Sequence, residues 1–420
     1  LYARATPGKI AMWFFICSDL MSFSGLLLGY GLLRGGSERW IPEGAPELGI
    51  NFTAGLTFLL ICSSVSMVMA YAAIVESNRK KALLWLGATN DFHGIMDDTY
   101  RTGLLIPHAN IRYSFALHLN HRFTPEFAVA RPLWIDQHLK GSFKFPRTPA
   151  SHLTLEKIAR LSVTPDASHP IEKVQILYSI DPDPQARFWR TARVLRKREA
   201  GSWTAELPIL SSDQPLFAFA NVHYKLPKPV AVQFARPTQT FALTSQLQTA
   251  APKELQAKKI LATDKRSDLI DDFSCGFQDW YLLSADNPHH WQYWTRKITD
   301  PKWQGQAGEQ LTFDVKTEKA NQLVVIIKEN FFRGYRGRQR ELVTVVELPG
   351  GDQWQKVSLP AARFQVPDGE DKLSSWEQAD LLGFRPYYGD RQGKVIGSPR
   401  WAGRQPQLRN LRWSQPGAGD

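Results

Sequence analysis

The chain has 420 residues, with 51 lysines and arginines against 40 acids and a formal net charge of +11. This length excludes a single compact domain, because domains usually hold roughly 100–200 residues each. The basic residues are interspersed with acids rather than gathered in one block, which argues against nucleic-acid binding, and the 3 cysteines lack metal-binding or redox spacing.

Two long apolar runs stand near the start of the chain, at Ile10–Leu33 and Phe52–Val75. Each exceeds the roughly 20 residues that cross the hydrocarbon core of a membrane, so they predict a transmembrane helical hairpin over residues 1–81. Basic residues flank both outer ends, and the positive-inside rule therefore predicts a multi-pass protein of a bacterial-type inner membrane with both ends in the cytoplasm. Asp19 is the single charge inside the runs, and an acid within the bilayer is costly enough to predict a functional position.

The segments Pro7–Trp13, Ser18–Leu26 and Trp40–Pro42 are similar to subunit III of the heme-copper (cytochrome c) oxidases. The resemblance extends over residues 1–89 and implies a non-catalytic subunit of respiratory electron transport, in contact with the lipid bilayer and with oxidase subunit I. It implies no cofactor on this chain, since heme and copper belong to partner subunits in that family. The family usually has Glu where Asp19 stands.

A different pattern begins at residue 82. An apolar strand at Leu83–Gly87 precedes Asp91, and a second strand at Ile111–Leu119 precedes His121. Helices are predicted after each, over Met96–Leu105 and over residues 126–139. A buried parallel strand often has functional side chains at its carboxyl end, but without a family resemblance an Asp and a His about thirty residues apart are more often surface residues than an acid–base pair. From the residues alone, Asp97, Asp98, His93, His108 and His118 compete for the two roles.

This order of strand, acid, helix, strand, histidine and helix, with Trp134–Gly141 as the closing helix, resembles the C-terminal part of an α/β-hydrolase. The similar proteins are of the acetyl-esterase, prolyl-peptidase and pathogenicity-related type. The resemblance covers residues 82–150 and implies that Asp91 orients His121, which would act as the general base. The sequence contains no G-x-S-x-G nucleophile elbow, so no complete active site is expected and the chain is not predicted to be an active enzyme.

Short alternating segments between turn residues predict an immunoglobulin-like β-sandwich over residues 151–226, similar to a domain appended to the same hydrolases. Residues 227–267 are rich in Gln, Ala, Lys and Thr and are predicted to be a linker. Residues 268–416 combine strands with many tryptophans and resemble a galactose-binding-like jelly roll. That architecture implies carbohydrate as a partner, with sugars stacking on exposed aromatic rings. The candidate ligand-binding residues are Trp291, Tyr293, Trp294, Tyr387, Tyr388 and Trp401.

The sequence therefore predicts a multidomain chain with an N-terminal transmembrane α-hairpin, a partial α/β-hydrolase segment and two β-sandwich domains. Its two halves meet at Leu84–Asp91, which suggests a chimera of two genes. The main functional interpretation is a membrane-anchored fusion of a truncated oxidase subunit III with a hydrolase that lacks its nucleophile. Two alternatives are a serine hydrolase acting on carbohydrate-linked substrates and a carbohydrate-binding module protein.

Overall fold

The computed structural model describes residues 83–106, 110–197, 201–232, 235–389 and 393–417, together with helical positions between residues 21 and 36. The chain divides into two units, Leu1–Ala73 and Ile74–Asp420. Most of the first unit lies outside the described residues. The fold given below is that of the second unit.

The predicted transmembrane fold class is wrong for the part of the chain that the structure describes. None of its helices is both long and apolar enough to cross a membrane. The longest helix beyond residue 83 has 10 residues, about 15 Å at 1.5 Å per residue, half of a hydrocarbon core of about 30 Å. This finding overturns the membrane location, the cytoplasmic orientation and the membrane-anchored oxidase function, and leaves the bilayer and oxidase subunit I without support as partners. Asp19, most of the first predicted span and all of the second lie outside the described residues.

The first half of the second unit is built from eleven described strands and a few short helices. The strands are β1 Leu83–Ala88, β2 Ile111–Ala116, β3 Ala150–Leu155, β4 Ala159–Thr164, β5 Ile171–Ser179, β6 Arg190–Thr191, β7 Val194–Lys197, β8 Ser202–Glu206, β9 Leu216–Val232, β10 Ala235–Thr244 and β11 Gln248–Ala250. The helices are α1 Met96–Leu105, α2 Pro125–Ala128, α3 Ala130–Ile135, a π-helical turn at Asp136–Lys140, and α4 Pro252–Ala257.

These strands form two sheets that pack face to face. The larger has the order β1-β2-β10-β9-β5-β6, with β11 beside β9, and the smaller has the order β3-β4-β8-β7. Strands β1 and β2 are parallel, as the sequence predicts, and pair Leu83 with Ile111 through to Ala88 with Ala116. Apolar side chains of both sheets, among them Leu161 and Ile176, form the core between them.

The predicted hydrolase segment and the predicted sandwich share the larger sheet. Strand β10 pairs with β2 at Thr244 and Tyr113, and the Ser114 hydroxyl donates a hydrogen bond of 2.8 Å to the carbonyl of Ala242. Residues 227–267, predicted as a linker, contribute part of β9 and all of β10, β11 and α4. The hydrolase-like strands are therefore stabilised by residues that follow them by more than a hundred positions.

Helix α1 covers one face of β1 and β2. Its buried Met96 and Tyr100 pack on Tyr113 and Phe115, and the Tyr100 hydroxyl donates a hydrogen bond of 2.5 Å to the carbonyl of Ser245. A side chain at Gly103 would place its Cβ in collision with the Tyr113 hydroxyl. Glycine at this position lets the helix approach the sheet closely.

The second half of the unit is a β-sandwich of jelly-roll type. Its strands are β12 Leu269–Asp271, β13 Tyr281–Leu283, β14 Gln292–Thr295, β15 Gln310–Lys316, β16 Asn321–Glu329, β17 Arg340–Leu348, β18 Trp354–Pro360, β19 Ala379–Arg385, β20 Tyr387–Gly389, β21 Val395–Gly397 and β22 Gln407–Ser414. A four-stranded sheet, β12-β22-β15-β18, faces a five-stranded sheet, β13-β14-β19-β16-β17. A core rich in tryptophan lies between them, and the β20–β21 pair packs against the outer side of the five-stranded sheet.

Buried ion pairs join the two sandwiches of this unit. The guanidinium of Arg190, on β6, donates hydrogen bonds of 2.8 and 2.5 Å to the carboxylate of Asp300. The guanidinium of Arg333, after β16, contacts both Asp181 and Asp380. Such pairs are costly to break, because removing one partner leaves an uncompensated charge in a desolvated site.

Candidate functional site

The structure brings Asp91 and His121 together as the sequence predicts. Strand β1 ends three residues before Asp91 and the parallel strand β2 ends five residues before His121. Oδ2 of Asp91 lies 3.0 Å from Nδ1 of His121. The carboxylate is buried, at 6% exposure, whereas the imidazole is 69% exposed.

The environment of Asp91 favours its ionised form. Burial acts to raise the pKa of the carboxyl, but hydrogen bonds from the backbone N–H groups of His93 and Gly94 and from His121 lower it below its usual value. The two backbone bonds measure 2.8 and 3.1 Å, both to Oδ1. This is the arrangement by which a carboxylate orients an imidazole. Among the described residues, no hydroxyl or thiol is hydrogen-bonded to the other ring nitrogen of His121, so the acid and base roles stay predictions.

The competing acids and histidines have other partners. Asp97 forms an ion pair with the buried Arg187, at 2.9 Å, and Asp98 pairs with Arg101 on the surface of α1. His93 packs edge-on against His121, with ring centroids 5.3 Å apart. His118 is buried and stacked on Phe188, where burial, followed by the charges of Arg296 and Lys297, lowers its pKa to about 3. His108 lies outside the described residues.

A loop at residues 181–187 forms hydrogen bonds both with Asn90, just after β1, and with the jelly roll. The side-chain amide of Asn90 donates to the carbonyls of Gln185 and Arg187. The guanidinium of Arg296, in the jelly roll, donates to the same Gln185 carbonyl at 2.8 Å. The loop that positions Asn90, the neighbour of Asp91, is therefore itself positioned by a residue of the second sandwich.

Four of the six predicted sugar-stacking residues are buried. Trp291, Tyr293, Trp294 and Trp401 are between 0% and 4% exposed, and rings buried to this extent offer no face to a ligand. Trp291 and Trp401 pack edge-to-face at 5.1 Å. Trp294 lies across Gly383, where an added Cβ would come within 2.4 Å of the ring.

The two remaining aromatic candidates, Tyr387 and Tyr388, are half-buried on β20. The hydroxyl of Tyr387 lies 2.6 Å from Nδ1 of His290, and Tyr388 packs on the apolar cluster outside the five-stranded sheet. The structure therefore does not gather the six predicted aromatic residues into one surface.

The outer side of the four-stranded sheet carries a continuous strip of polar side chains, here called the polar face. Strand alternation produces it, because Leu311, Phe313 and Val315 of β15 are buried in the core and the residues between them point outward. The polar face consists of Gln310, Thr312, Asp314 and Lys316 on β15, Trp354, Lys356 and Ser358 on β18, and Arg409, Asn410, Arg412 and Ser414 on β22.

Two adjoining depressions lie along the polar face. One, of about 860 Å³, is lined by residues of β15, β18 and β22 and by Asp268, which precedes β12. The other, of about 350 Å³, begins at Lys316 and includes Glu318, Asp352 and Arg404. Since Asp314 and Lys316 are same-side neighbours on β15, the depressions follow one another along the strand. From Gln310 to Lys316 the strip is about 20 Å long at 3.3 Å per residue.

A β-bulge in β22 shapes the centre of the polar face. The register of β22 against β15 shifts between Thr312 and Asp314, and Asn410 has a φ of 57°. As a result two consecutive residues reach the same carboxylate, with Oδ2 of Asp314 accepting from Arg409 at 3.0 Å and from Asn410 at 2.8 Å. Bulges commonly re-aim side chains beside binding sites.

Trp354 is the aromatic residue of this face, and it is not among the six that the sequence predicts. Its side chain is 38% exposed. The guanidinium carbon of Arg409 lies 4.1 Å from its ring centre and the ammonium of Lys316 lies 5.5 Å away. The sequence did contain the signal, because Trp354 has the same spacing of two as the outward Lys356 and Ser358. It is therefore on the opposite side of the strand from the inward Val357 and Leu359.

Within the described ranges, no cluster of three or more His, Cys, Asp or Glu side chains could hold a metal ion. The polar face is instead a strip of hydrogen-bond donors and acceptors with one indole at its Lys316 end. In chemical terms it can bind a hydroxylated ligand, since its side chains supply both donors and acceptors.

No family model matches the chain. Among solved structures, it is similar to a chain from a study of the promiscuous specificity of carbohydrate-binding modules of the β-sandwich superfamily, at 9% identity over 65% of this chain and 100% of that one, with a TM-score of 0.18. A family 30 carbohydrate-binding module matches at 14% identity over 36% of this chain and 85% of that one, with a TM-score of 0.20. SGBP-B from a complex xyloglucan utilization locus of Bacteroides uniformis matches at 9% identity, 65% and 100% coverage and a TM-score of 0.20. Similarities with identities and TM-scores this low give no information about the ligand of this chain. The functional proposal below therefore depends on the geometry of the polar face.

Proposed function

We propose that the chain binds carbohydrate on the polar face of its jelly roll. The observation that carries the proposal is the exposed indole of Trp354 at the Lys316 end of a strip of Asp, Asn, Arg, Lys and Gln side chains. A sugar ring has apolar C–H faces, which pack on an aromatic ring, and a rim of hydroxyls, which take several hydrogen bonds from planar polar side chains. The polar face offers both kinds of contact side by side.

The shape of the polar face favours an extended chain of sugars over a single monosaccharide. The two depressions follow each other along β15 for about 20 Å, and Trp354 pairs with Lys316 near the point where they meet. A strip of this length takes several linked sugar units side by side. Most of the polar side chains lie on β-strands, so the site is preorganised and loses little entropy on binding.

The test is retention of the whole chain on a panel of polysaccharides, followed by calorimetry with the polysaccharide that is retained most strongly. We expect Trp354→Ala to weaken binding at least about tenfold, since an aromatic anchor typically contributes more than 1.4 kcal/mol. Phe331→Ala is the matched control, because Phe331 has the same 38% exposure but lies beyond the end of β16, on the other sheet. Equal binding by wild type and Trp354→Ala, or retention on none of the polysaccharides, would contradict the proposal.

A further inference from the structure

The acids along the polar face are all engaged by neighbouring cations. Asp314 pairs with Arg409 at 3.0 Å, Asp352 with Lys316 at 3.5 Å and Glu318 with Arg404 at 3.6 Å. Asp268, at the rim of the larger depression, pairs with Arg266 at 2.5 Å. A positively charged ligand would therefore have to displace the lysine or arginine side chain that already pairs with each acid.

Arg412 differs from these residues. It is exposed on β22 and lines the larger depression. Its backbone neighbours across the strands are Thr312 on β15 and Leu269 on β12, neither of which carries a charge. Among the described residues Arg412 forms no ion pair, so the charge that the polar face leaves open to a ligand is a guanidinium.

We propose that the ligand of the polar face is an acidic carbohydrate, with its carboxylate or sulfate group bound by Arg412. This inference rests on the proposed carbohydrate binding and specifies its ligand class. A guanidinium presents two parallel N–H donors that match the two oxygens of a carboxylate or sulfate. Trp354 lies on β18, across β15 from Arg412, and pairs with Lys316, whereas Arg412 pairs with Thr312 four residues earlier on β15. One sugar unit therefore stacks on the indole while the acidic group of a unit further along the chain reaches the guanidinium.

The charge balance of the site supports an anion over a neutral sugar. A neutral ligand that covered Arg412 would remove water from a charged group without providing a counter-charge, which costs binding energy. An anionic ligand supplies that counter-charge and leaves the existing ion pairs of Asp314, Asp352 and Glu318 intact. The same contact makes binding sensitive to ionic strength, because the guanidinium is exposed to solvent.

The experiment compares ligands that differ only in charge, measured by calorimetry on the whole chain at low and at high salt. Polygalacturonate is set against its methyl-esterified form, and dextran sulfate against dextran. We expect at least one acidic polymer to bind about tenfold or more tightly than its neutral counterpart, and added salt to weaken it. Which acidic polymer binds more tightly distinguishes a carboxylate from a sulfate ligand.

Three variants locate the contact. Arg412→Gln should remove most of the preference for the acidic polymer, whereas Arg412→Lys should retain part of it because the charge remains. Arg336→Gln is the control for attraction by the net positive charge, since Arg336 is exposed on the β16–β17 connection of the other sheet. Equal affinity for charged and neutral polymers, or an Arg412→Gln variant that keeps the preference, overturns the inference. If neutral polymers bind through Trp354 in that case, the proposed function stands, and if no polymer binds, the proposed function fails as well.

Discussion

The guanidinium of Arg409 lies over the indole of Trp354, with its Cζ 4.1 Å from a ring centre. The two residues are on β22 and β18, which flank β15 on opposite sides, so the arginine side chain crosses the central strand to reach the ring. Arg409 also donates to Asp314 on that strand. One side chain thus links all three strands of the polar face.

Replacing Arg409 with alanine should remove this link. A cation–π contact at an exposed site contributes about 0.5–1 kcal/mol, and we expect a loss of stability of about 1 kcal/mol in urea unfolding. The emission of Trp354, measured as the difference from the Trp354→Phe protein, should shift to the red as the ring gains contact with water. Arg400→Ala, at an exposed position with no ion pair among the described residues, should change neither quantity. No change in the Arg409→Ala protein would show that the contact is not maintained in solution.

The Asp91–His121 pair predicts a pH-dependent contribution to stability. The folded-state pKa of Asp91 lies below its usual value, so its ionised form stabilises the fold above that usual value, and the stabilisation is lost as the pH falls through the lowered pKa. Asp91→Asn should therefore cost about 1.5 kcal/mol at pH 7, in the range for hydrogen bonds to a charged group. The difference from wild type should shrink below about pH 4.

The control for this prediction is Asp98→Asn. Asp98 is 58% exposed and pairs with the exposed Arg101, so its replacement should cost less than about 0.5 kcal/mol at any pH. Thermal unfolding of the three proteins from pH 7 to pH 3 provides the measurement. A destabilisation by Asp91→Asn that stays constant over this range would show that the charge of Asp91 does not stabilise the fold.

His118 also predicts a loss of stability as the pH falls, but over a higher pH range than Asp91. Burial, together with the nearby Arg296 and Lys297, lowers its pKa to about 3, whereas in the unfolded chain a histidine titrates near 6.5. Between these values the unfolded state binds a proton that the folded state does not, so stability falls as the pH falls, by up to about 1.4 kcal/mol per pH unit. His118→Phe, which keeps a ring stacked on Phe188, should flatten the dependence of unfolding free energy on pH between 6 and 4.

The exposed His138 is the matched control, and His138→Gln should leave the pH dependence as it is in wild type. Urea unfolding at several pH values between 6 and 4 gives the slope for each protein. An unchanged slope for His118→Phe would be inconsistent with a buried neutral imidazole at this position.

Gly383 predicts a steric effect on the five-stranded sheet. It pairs with Trp294 across β14 and β19, and a Cβ on Gly383 would lie 2.4 Å from the indole. Gly383→Ala should therefore cost about 1–3 kcal/mol by overpacking. Gly389→Ala is the control, because no atom lies within 4 Å of the Cβ it would add. Equal unfolding free energies for the two variants would mean that Trp294 does not pack over the glycine.

The acid–imidazole pair could be predicted because the order of strand, Asp91, strand and His121 resembles that of the α/β-hydrolases, and because the pair is local to two adjacent parallel strands. An apolar strand followed by Asp91 and a second one followed by His121 must deliver both side chains to the same edge of the sheet. The shared sheet could not be predicted in this way, since β10 pairs with β2 through Thr244 and Tyr113. No local sequence pattern predicts a contact between residues so distant in the chain.

The aromatic residues show a second limit of sequence analysis. Trp294 lies on the outer side of the five-stranded sheet, but Tyr281, Tyr388 and Ile396 cover the cluster to which it belongs, and no local pattern reveals that cover. The outward position of Trp354 could have been predicted, because it is separated by two and four residues from the polar Lys356 and Ser358 and so shares their face of the strand. The bulge at Arg409 and Asn410 could not, since it depends on how β22 pairs with β15.

The central claim is that Trp354 contacts the bound carbohydrate. The most direct test is NMR of the chain with ¹⁵N-labelled tryptophan, titrated with the oligosaccharide unit of the polymer it retains, with Trp354→Phe used to assign the Trp354 indole signal. We predict that this signal moves with the titration while the signals of the buried Trp291 and Trp401 stay in place. An oligosaccharide that binds without moving the Trp354 signal would contradict the claim.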